Sequence, residues 1–158
     1  MFGRPKPCHI TILDGDRAAD CARLHATGFP HSWGAHDFER LIGAETSFGH
    51  AAIETRDLRH LAGFVLSRRA ADQAEILTLV VDPASRRQGI AARLMAANID
   101  LLIRYGVKAL FLEVGEGNAA ARRLYAGLDF VEVGRRQGYY RTPGGAPATA
   151  LTLRRALG

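Results

Sequence analysis

Three short stretches hold residue types that could do chemistry. The first is Phe111-Leu112-Glu113-Val114, where Glu113 is the one acid of an otherwise apolar run. Alternation along a strand sends Leu112 and Val114 to one face and Phe111 and Glu113 to the other. A carboxylate among apolar neighbours is expected to titrate higher than usual, which suits a general base working near neutrality. A strand-end glutamate turned to water, or paired with an arginine, fits the same run, and structural carboxylates outnumber catalytic ones. The second is Tyr125, on a helical stripe with Ala121, Leu124 and Leu128. It reads as a core tyrosine and also as a phenol able to give up a proton, provided its hydroxyl reaches a cleft.

The third stretch is Arg86-Arg87-Gln88-Gly89-Ile90-Ala91. It follows the apolar run Ile76 to Val81, which stops at Asp82-Pro83 because Pro83 cannot donate to a ladder and biases Asp82 away from helix. From Gly89 onward Ile90, Leu94, Ala97 and Leu101 recur at helical spacing. A strand feeding a helix through a basic, glycine-bearing turn aims free amides and a positive dipole end at one spot, and that spot suits a phosphate. An ordinary connection with solvated arginines would read the same way. Neither G-x-x-x-x-G-K-[ST] nor G-x-G-x-x-G occurs, so NTPase and dinucleotide-fold readings have no support.

The elements that must position these residues can be read in order. His9 to Leu13 alternates as a strand. Asp16 is placed to N-cap a helix over Arg17 to Thr27, which Gly28-Phe29-Pro30 ends. His31-Ser32-Trp33-Gly34 is a loop leading to a short helix with Phe38, Leu41 and Ile42. Trp33, the sole tryptophan, either caps the core or lines a cleft, since loops often supply binding residues. Ser47 to Glu54, His60 to Arg68 and Gln73 to Val81 are expected to form an antiparallel meander. A long helix runs from about Gly89 to Tyr105, with Gly106 as its C′ residue. Leu110 to Val114 is a strand, Asn118 an N-cap, and Ala119 to Leu128 a helix. Val131 to Tyr140 and Ala148 to Arg155 form a last pair. This order predicts an α/β (α+β) fold, one domain with a largely antiparallel central sheet and helices on both faces.

Composition sets the bounds. A chain of 158 residues with 47% hydrophobic and 23% charged content is expected to be one globular domain. No run approaches the roughly 18–20 apolar residues needed to span a bilayer, and the amino terminus lacks an apolar leader core, so a cytoplasmic protein is expected with no membrane partner. Cys8 and Cys21 have neither metal spacing nor a dense disulfide pattern and read as small hydrophobes. The net charge of +5 comes with arginine pairs dispersed along the chain. They form no nucleic-acid stripe, so no direct nucleic-acid binding is expected, while the modest positive field favours an anionic cofactor.

The hexamer Arg86 to Ala91 resembles the Q/R-x-x-G-x-G/A loop of the GCN5-related N-acetyltransferases (GNAT), which cradles the pyrophosphate of acetyl-coenzyme A. The run Leu112-Glu113-Val114, then Asn118-Ala119-Ala120-Ala121, Leu124-Tyr125, Leu128, Phe130, Arg136, Tyr139 and Tyr140 resembles the RimI-like ribosomal-protein-alanine N-acetyltransferases. So does Phe29-Pro30-His31-Ser32-Trp33. The likeness runs from about His9 to Leu153. It implies an acetyl-CoA-dependent N-acetyltransferase acting on a protein N-terminal α-amino group, with the N-terminal alanine of a small-subunit ribosomal protein as the acceptor. It implies Glu113 as the base that takes the ammonium proton and Tyr125 as the acid that protonates the departing thiolate. It implies Leu79, Val80 and Val81 as the strand along the pantetheine, and Arg86, Arg87, Gln88, Gly89, Ile90 and Ala91 as the pyrophosphate loop. It implies Asn118 as a residue near the cofactor, and Trp33 and Tyr139 are expected to bind the substrate. No metal is implied. Asp129 stands where the family usually has glycine, and Pro147-Ala148 stand where this branch usually has an acidic pair. An acetyltransferase of a small amine or lysine side chain, and an acyl-CoA binder without turnover, remain as alternatives, the latter disfavoured by the presence of both Glu113 and Tyr125.

Overall fold

The computed structural model describes residues 6–141, 144–145 and 147–158, and for residues 139–141 the backbone alone. Strand β1, Cys8–Ile12, leads to a 3-10 turn, Gly15–Arg17, and helix α1, Ala18–His25. Asp16 does not cap α1, which follows Arg17 with no side-chain cap; Asp14 caps the 3-10 turn ahead of it, its backbone extended and its carboxylate accepting the Asp16 N–H at 2.8 Å. An extended residue with a short acceptor is what an N-terminus selects. Helix α1 stops two residues short of Thr27, and the Thr27 and Gly28 amides turn back to the carbonyls of Leu24 and His25. Helix α2, Ala35–Gly43, starts after Gly34, whose N–H donates to the Asp37 carboxylate at 3.0 Å.

Strands β2 (Ser47–Glu54), β3 (Leu61–Ala70) and β4 (Gln73–Val81) form the expected antiparallel meander. Helix α3, Ile90–Arg104, ends as its sequence predicts. Gly106 has φ +82°, and the amides of Gly106 and Val107 bond the carbonyls of Ile103 and Leu102, the Schellman pattern that favours glycine. Strand β5, Ala109–Gly115, is followed by α4, Ala119–Gly127, then β6, Val131–Arg141, and β7, Pro147–Ala156. Asn118 caps α4, its side-chain oxygen accepting the Ala121 N–H at 3.2 Å.

The seven strands make one sheet in the order β1-β2-β3-β4-β5-β7-β6, antiparallel except between β4 and β5. Each face has its own core. On one, α1 and α2 pack through Cys21, Leu24 and Phe38 on Ala51, Ile53, Phe64, Leu66 and Val80. On the other, α3 and α4 pack through Leu94, Met95, Leu102 and Tyr125 on Val65, Ile76, Leu110, Leu112, Val114, Leu151 and Leu153. Among the described residues, no buried residue of β5, β6 or β7 joins the α1/α2 core. That face is therefore roofed over β2–β4 and open over β5 and β7. Among the described residues no helix is long and apolar enough to cross a membrane.

Candidate active site

The site begins with a defect in the sheet. Parallel pairing of β4 with β5 covers three positions, Gln73↔Ala109, Ala74↔Leu110 and Glu75↔Phe111. Beyond them Ile76–Val81 and Leu112–Gly115 have no ladder partner on the sides that face each other, and the strands part like a wedge. Strand edges with unpaired amides and carbonyls invite an extended ligand to complete them. A bulge on β4 lies at the start of this opening: Leu66 pairs with Thr78 and Ser67 with Ile76, leaving Leu77 extra. It switches the alternation, so that Ile76 packs in the α3/α4 core while Leu77 and Val80 pack in the α1/α2 core. Thr78, 5% exposed, has a buried hydroxyl with no hydrogen-bond partner among the described residues.

At the far end of β4 comes the basic turn. Asp82 accepts the Ala84 N–H at 3.0 Å and starts a 3-10 turn over Pro83–Ser85. Arg87 and Gly89 then adopt left-handed backbone, φ +63° and +75°. The first amide of α3 to find a carbonyl is that of Arg93, which bonds Gly89 O at 3.1 Å. The amides ahead of it in the first turn are left for a ligand, at the positive end of a 15-residue helix. Arg86 and Arg87 are exposed beside them, and Gln88 is half-buried. The Ile90 side chain is 3% exposed and belongs to the core, so only its amide is available. Leu79 and Val81 are half-buried on the wedge, whereas Val80 is spent on the α1/α2 core.

Glu113 departs from expectation. Leu112 and Val114 are buried as alternation requires, but Glu113 itself is exposed, on the face that α1 and α2 leave open. The apolar enclosure foreseen for its carboxylate is absent. Beside it on that face are Thr152, its ladder partner, and Phe111, whose ring has the Arg154 guanidinium 5.9 Å above it. Tyr125 lies on the other face, 8% exposed and edge-on to Phe130 at 5.7 Å. Burial pushes its phenol up to about 12, so it stays a donor at any working pH. The two candidates thus occupy opposite faces, and the β4/β5 wedge is the gap in the sheet between those faces. Asn118 is exposed, with its oxygen already engaged in capping. Trp33 is half-buried against the α1/α2 core, stacked on His25. The side chain of Tyr139 lies outside the described residues.

Residues 18–130 match the acetyltransferase (GNAT) family. The chain belongs to that family. Its relatives place it in the RimI-like branch. The N-alpha-acetyltransferase RimI of Mycobacterium tuberculosis is 35% identical over 161 residues, spanning 100% of this chain and 98% of that protein. The [ribosomal protein bS18]-alanine N-acetyltransferase of Escherichia coli K12 is 40% identical over 85 residues, 54% of this chain and 57% of that one. With this match, and with 65% of the Haemophilus ducreyi counterpart, the chain spans about three fifths of the first curated relatives' length. Among solved structures, the ribosomal-protein-S18-alanine N-acetyltransferase of Escherichia coli superimposes with a TM-score of 0.87 at 26% identity, covering 96% of this chain and 95% of that one. The mixed seven-stranded sheet with four helices is thus the GNAT fold.

The acetyltransferase family draws its acetyl group from acetyl-CoA, and this chain's own features fit that donor. The wedge offers free strand edges to a pantetheine-like arm, and the left-handed Gly89 keeps the first-turn amides of α3 unobstructed. The sequence does not show the wedge, because the residues of β4 and β5 on either side of Glu75 and Phe111 suit a paired or an unpaired edge alike. His25 was not singled out either. Its signal was its place on the Cys21–Leu24–His25 stripe of α1, which marks it as buried.

Proposed function

We propose that this acetyltransferase, acting as one domain, transfers acetyl from acetyl-CoA to the α-amino group of a protein N-terminus, with the terminal alanine of a small-subunit ribosomal protein as its acceptor. The observation that carries the reading is the placement of Glu113. It is an exposed carboxylate on an unroofed ledge beside the wedge, where the end of a large substrate can reach it. The activities named for the Mycobacterium tuberculosis and Escherichia coli relatives support the same acceptor class.

Acetyl-CoA, when bound, supplies an activated thioester. The chain's part is to hold and to move protons. The amides of Gly89 to Ala91, with Arg86, Arg87 and Gln88, hold the diphosphate, and the free edge at Leu79 to Val81 aligns the acyl arm. Glu113 accepts a proton from the acceptor ammonium, directly or through water. Since an α-amine titrates near 7.7–8, a mild carboxylate base suffices. Tyr125, kept protonated by burial, donates its proton to the leaving sulfur. Trp33 and Tyr139 flank the acceptor.

The test is acetyl-CoA consumption by the purified enzyme against short peptides with free N-termini, the same peptides with blocked N-termini and internal lysine, and small polyamines. Turnover confined to free α-amines supports the reading. Preference for lysine or polyamine would replace it with the small-amine reading, which Pro147-Ala148 in place of an acidic pair keeps open.

A further inference from the structure

His25 is a titratable group that the proposed chemistry leaves unused, and its surroundings are unusual. It is 3% exposed at the last position of α1. Phe29 stacks on one contact at 4.3 Å and Trp33 on another at 4.9 Å, each within 12° of parallel, while Phe38 of α2 meets the ring edge-on at 5.5 Å. Phe38 is in turn edge-on to Phe64 of β3 at 5.5 Å. A chain of rings thus runs from Phe29, 41% exposed, down to the sheet.

The ring also makes one hydrogen bond: Nδ1 accepts the backbone N–H of Trp33 at 3.3 Å. That contact requires a neutral imidazole with its proton on Nε2, and burial, which holds His25 below the ordinary imidazole range, keeps it so. The next amide, Gly34 N–H, is taken by Asp37 of α2. Two successive amides at the end of the α1–α2 loop are therefore held by side chains from the two helices it joins. Packing alone does not call for a histidine here. A phenylalanine would satisfy the apolar core without burying a polar ring, so the distinguishing work of the imidazole is its grip on Trp33.

The loop is in a position to matter. The end of α1 adjoins the end of β4: Leu24 and Thr27 share a cavity of about 210 Å³ with His60, Leu61 and Asp82. That cavity lies on the β3 side of β4; because β4 and β5 are parallel and paired only at their starts, the wedge opens at this same end of β4, and α1 and α2 lie on the face that exposes Glu113. Building on the acceptor site proposed above, we infer that His25 is a positioning residue for the acceptor, fixing the loop so that Phe29 and Trp33 form one wall of the entrance for the amine-bearing substrate. It touches no reacting atom.

Two variants separate its functions. His25→Phe keeps a flat ring in the stack but cannot accept the Trp33 amide; His25→Gln offers an acceptor without the stack. Trp33 is the sole tryptophan, so intrinsic emission reports on this loop alone. With a short peptide bearing a free N-terminal alanine, His25→Phe is expected to raise the acceptor KM about ten-fold, the size of one lost hydrogen bond, with kcat and the acetyl-CoA dissociation constant within about two-fold of wild type. His25→Gln is expected to recover part of that rise. Trp33 emission of the wild type is expected to shift on adding peptide, and the shift to weaken in His25→Phe. An unchanged acceptor KM in His25→Phe overturns the inference, as does an equal loss of affinity for both substrates, which would mark a merely structural residue. If the enzyme prefers a small amine, the N-terminal reading fails, and the same KM comparison with that amine still decides the role of His25.

Discussion

Phe130 grips Tyr125 twice: its N–H donates to the Tyr125 carbonyl at 3.0 Å, and its ring meets the phenol edge-on. With the Asp129 amide on Ala126 O, this is a Schellman closure of α4, in which Asp129 takes the left-handed C′ place at φ +67°. The end of the helix that carries the proposed acid is thus built on a residue type that fits its backbone poorly.

Replacing Asp129 with glycine removes a left-handed cost of roughly 1 kcal/mol. Part of that gain is lost to the greater freedom of glycine in the unfolded chain. The expected outcome is a variant about 0.5 kcal/mol more stable in urea unfolding, with kcat unchanged. A less stable variant would show that the aspartate side chain makes a compensating contact.

Tyr125→Phe preserves the packing against Phe130 and deletes the donor. Turnover should fall on the order of 10²-fold while acetyl-CoA affinity stays put. Because burial pushes the phenol up to about 12, the wild-type profile should show no alkaline loss from this group through pH 10. Equal kcat in the variant would remove Tyr125 from the acid role.

Glu113→Gln changes an exposed side chain and should leave stability within about 0.5 kcal/mol of wild type. At pH 7 it should lower kcat/KM on the order of 10²-fold. The defect should shrink by about pH 9, where the acceptor amine, titrating near 7.7–8, has already lost its proton. A defect that is the same at both values would assign Glu113 a binding role instead.

Gly89→Val probes the phosphate cradle. Among the described residues, nothing beyond its two chain neighbours lies within 4 Å of where a Cβ would stand at Gly89, so the chain itself has room, and the stability cost is confined to roughly 1–2 kcal/mol of left-handed strain. Acetyl-CoA binding, measured by calorimetry, should weaken by about ten-fold or more because the new side chain stands among the amides that face the diphosphate. Unaltered affinity would move the cofactor away from the start of α3.

What could be read from sequence was local. Asp82-Pro83, Gly106 and Asn118 ended or began their elements where expected, because a proline, a left-handed glycine and a capping side chain act within a few residues. The order of strands and helices followed, and with it the fold class. Four features escaped. Asp14, capping the 3-10 turn ahead of α1, took the place of Asp16 because two equivalent acids flank one glycine, and only the chain's path chooses between them. Glu113 proved exposed because neither helix of its face extends over β5, a fact of packing between distant segments. The wedge lies between two runs whose residues suit paired and unpaired edges alike. The aromatic clamp around His25 joins α1, its loop and α2 in three dimensions, and only its buried stripe was visible in one.

The place of β7 has a consequence for biosynthesis. It is the last of the seven strands along the chain, yet it lies between β5 and β6 and gives both their partner. While a ribosome is still extending the chain, Leu112 and Val114 lack the cover of Leu151 and Leu153, and β6 has nothing to pair with. The catalytic half of the sheet can close only once residues 147–156 have left the exit tunnel. The sheet around Glu113 is therefore complete only after that strand has been made, and truncation inside it unpairs both β5 and β6 rather than trimming an edge.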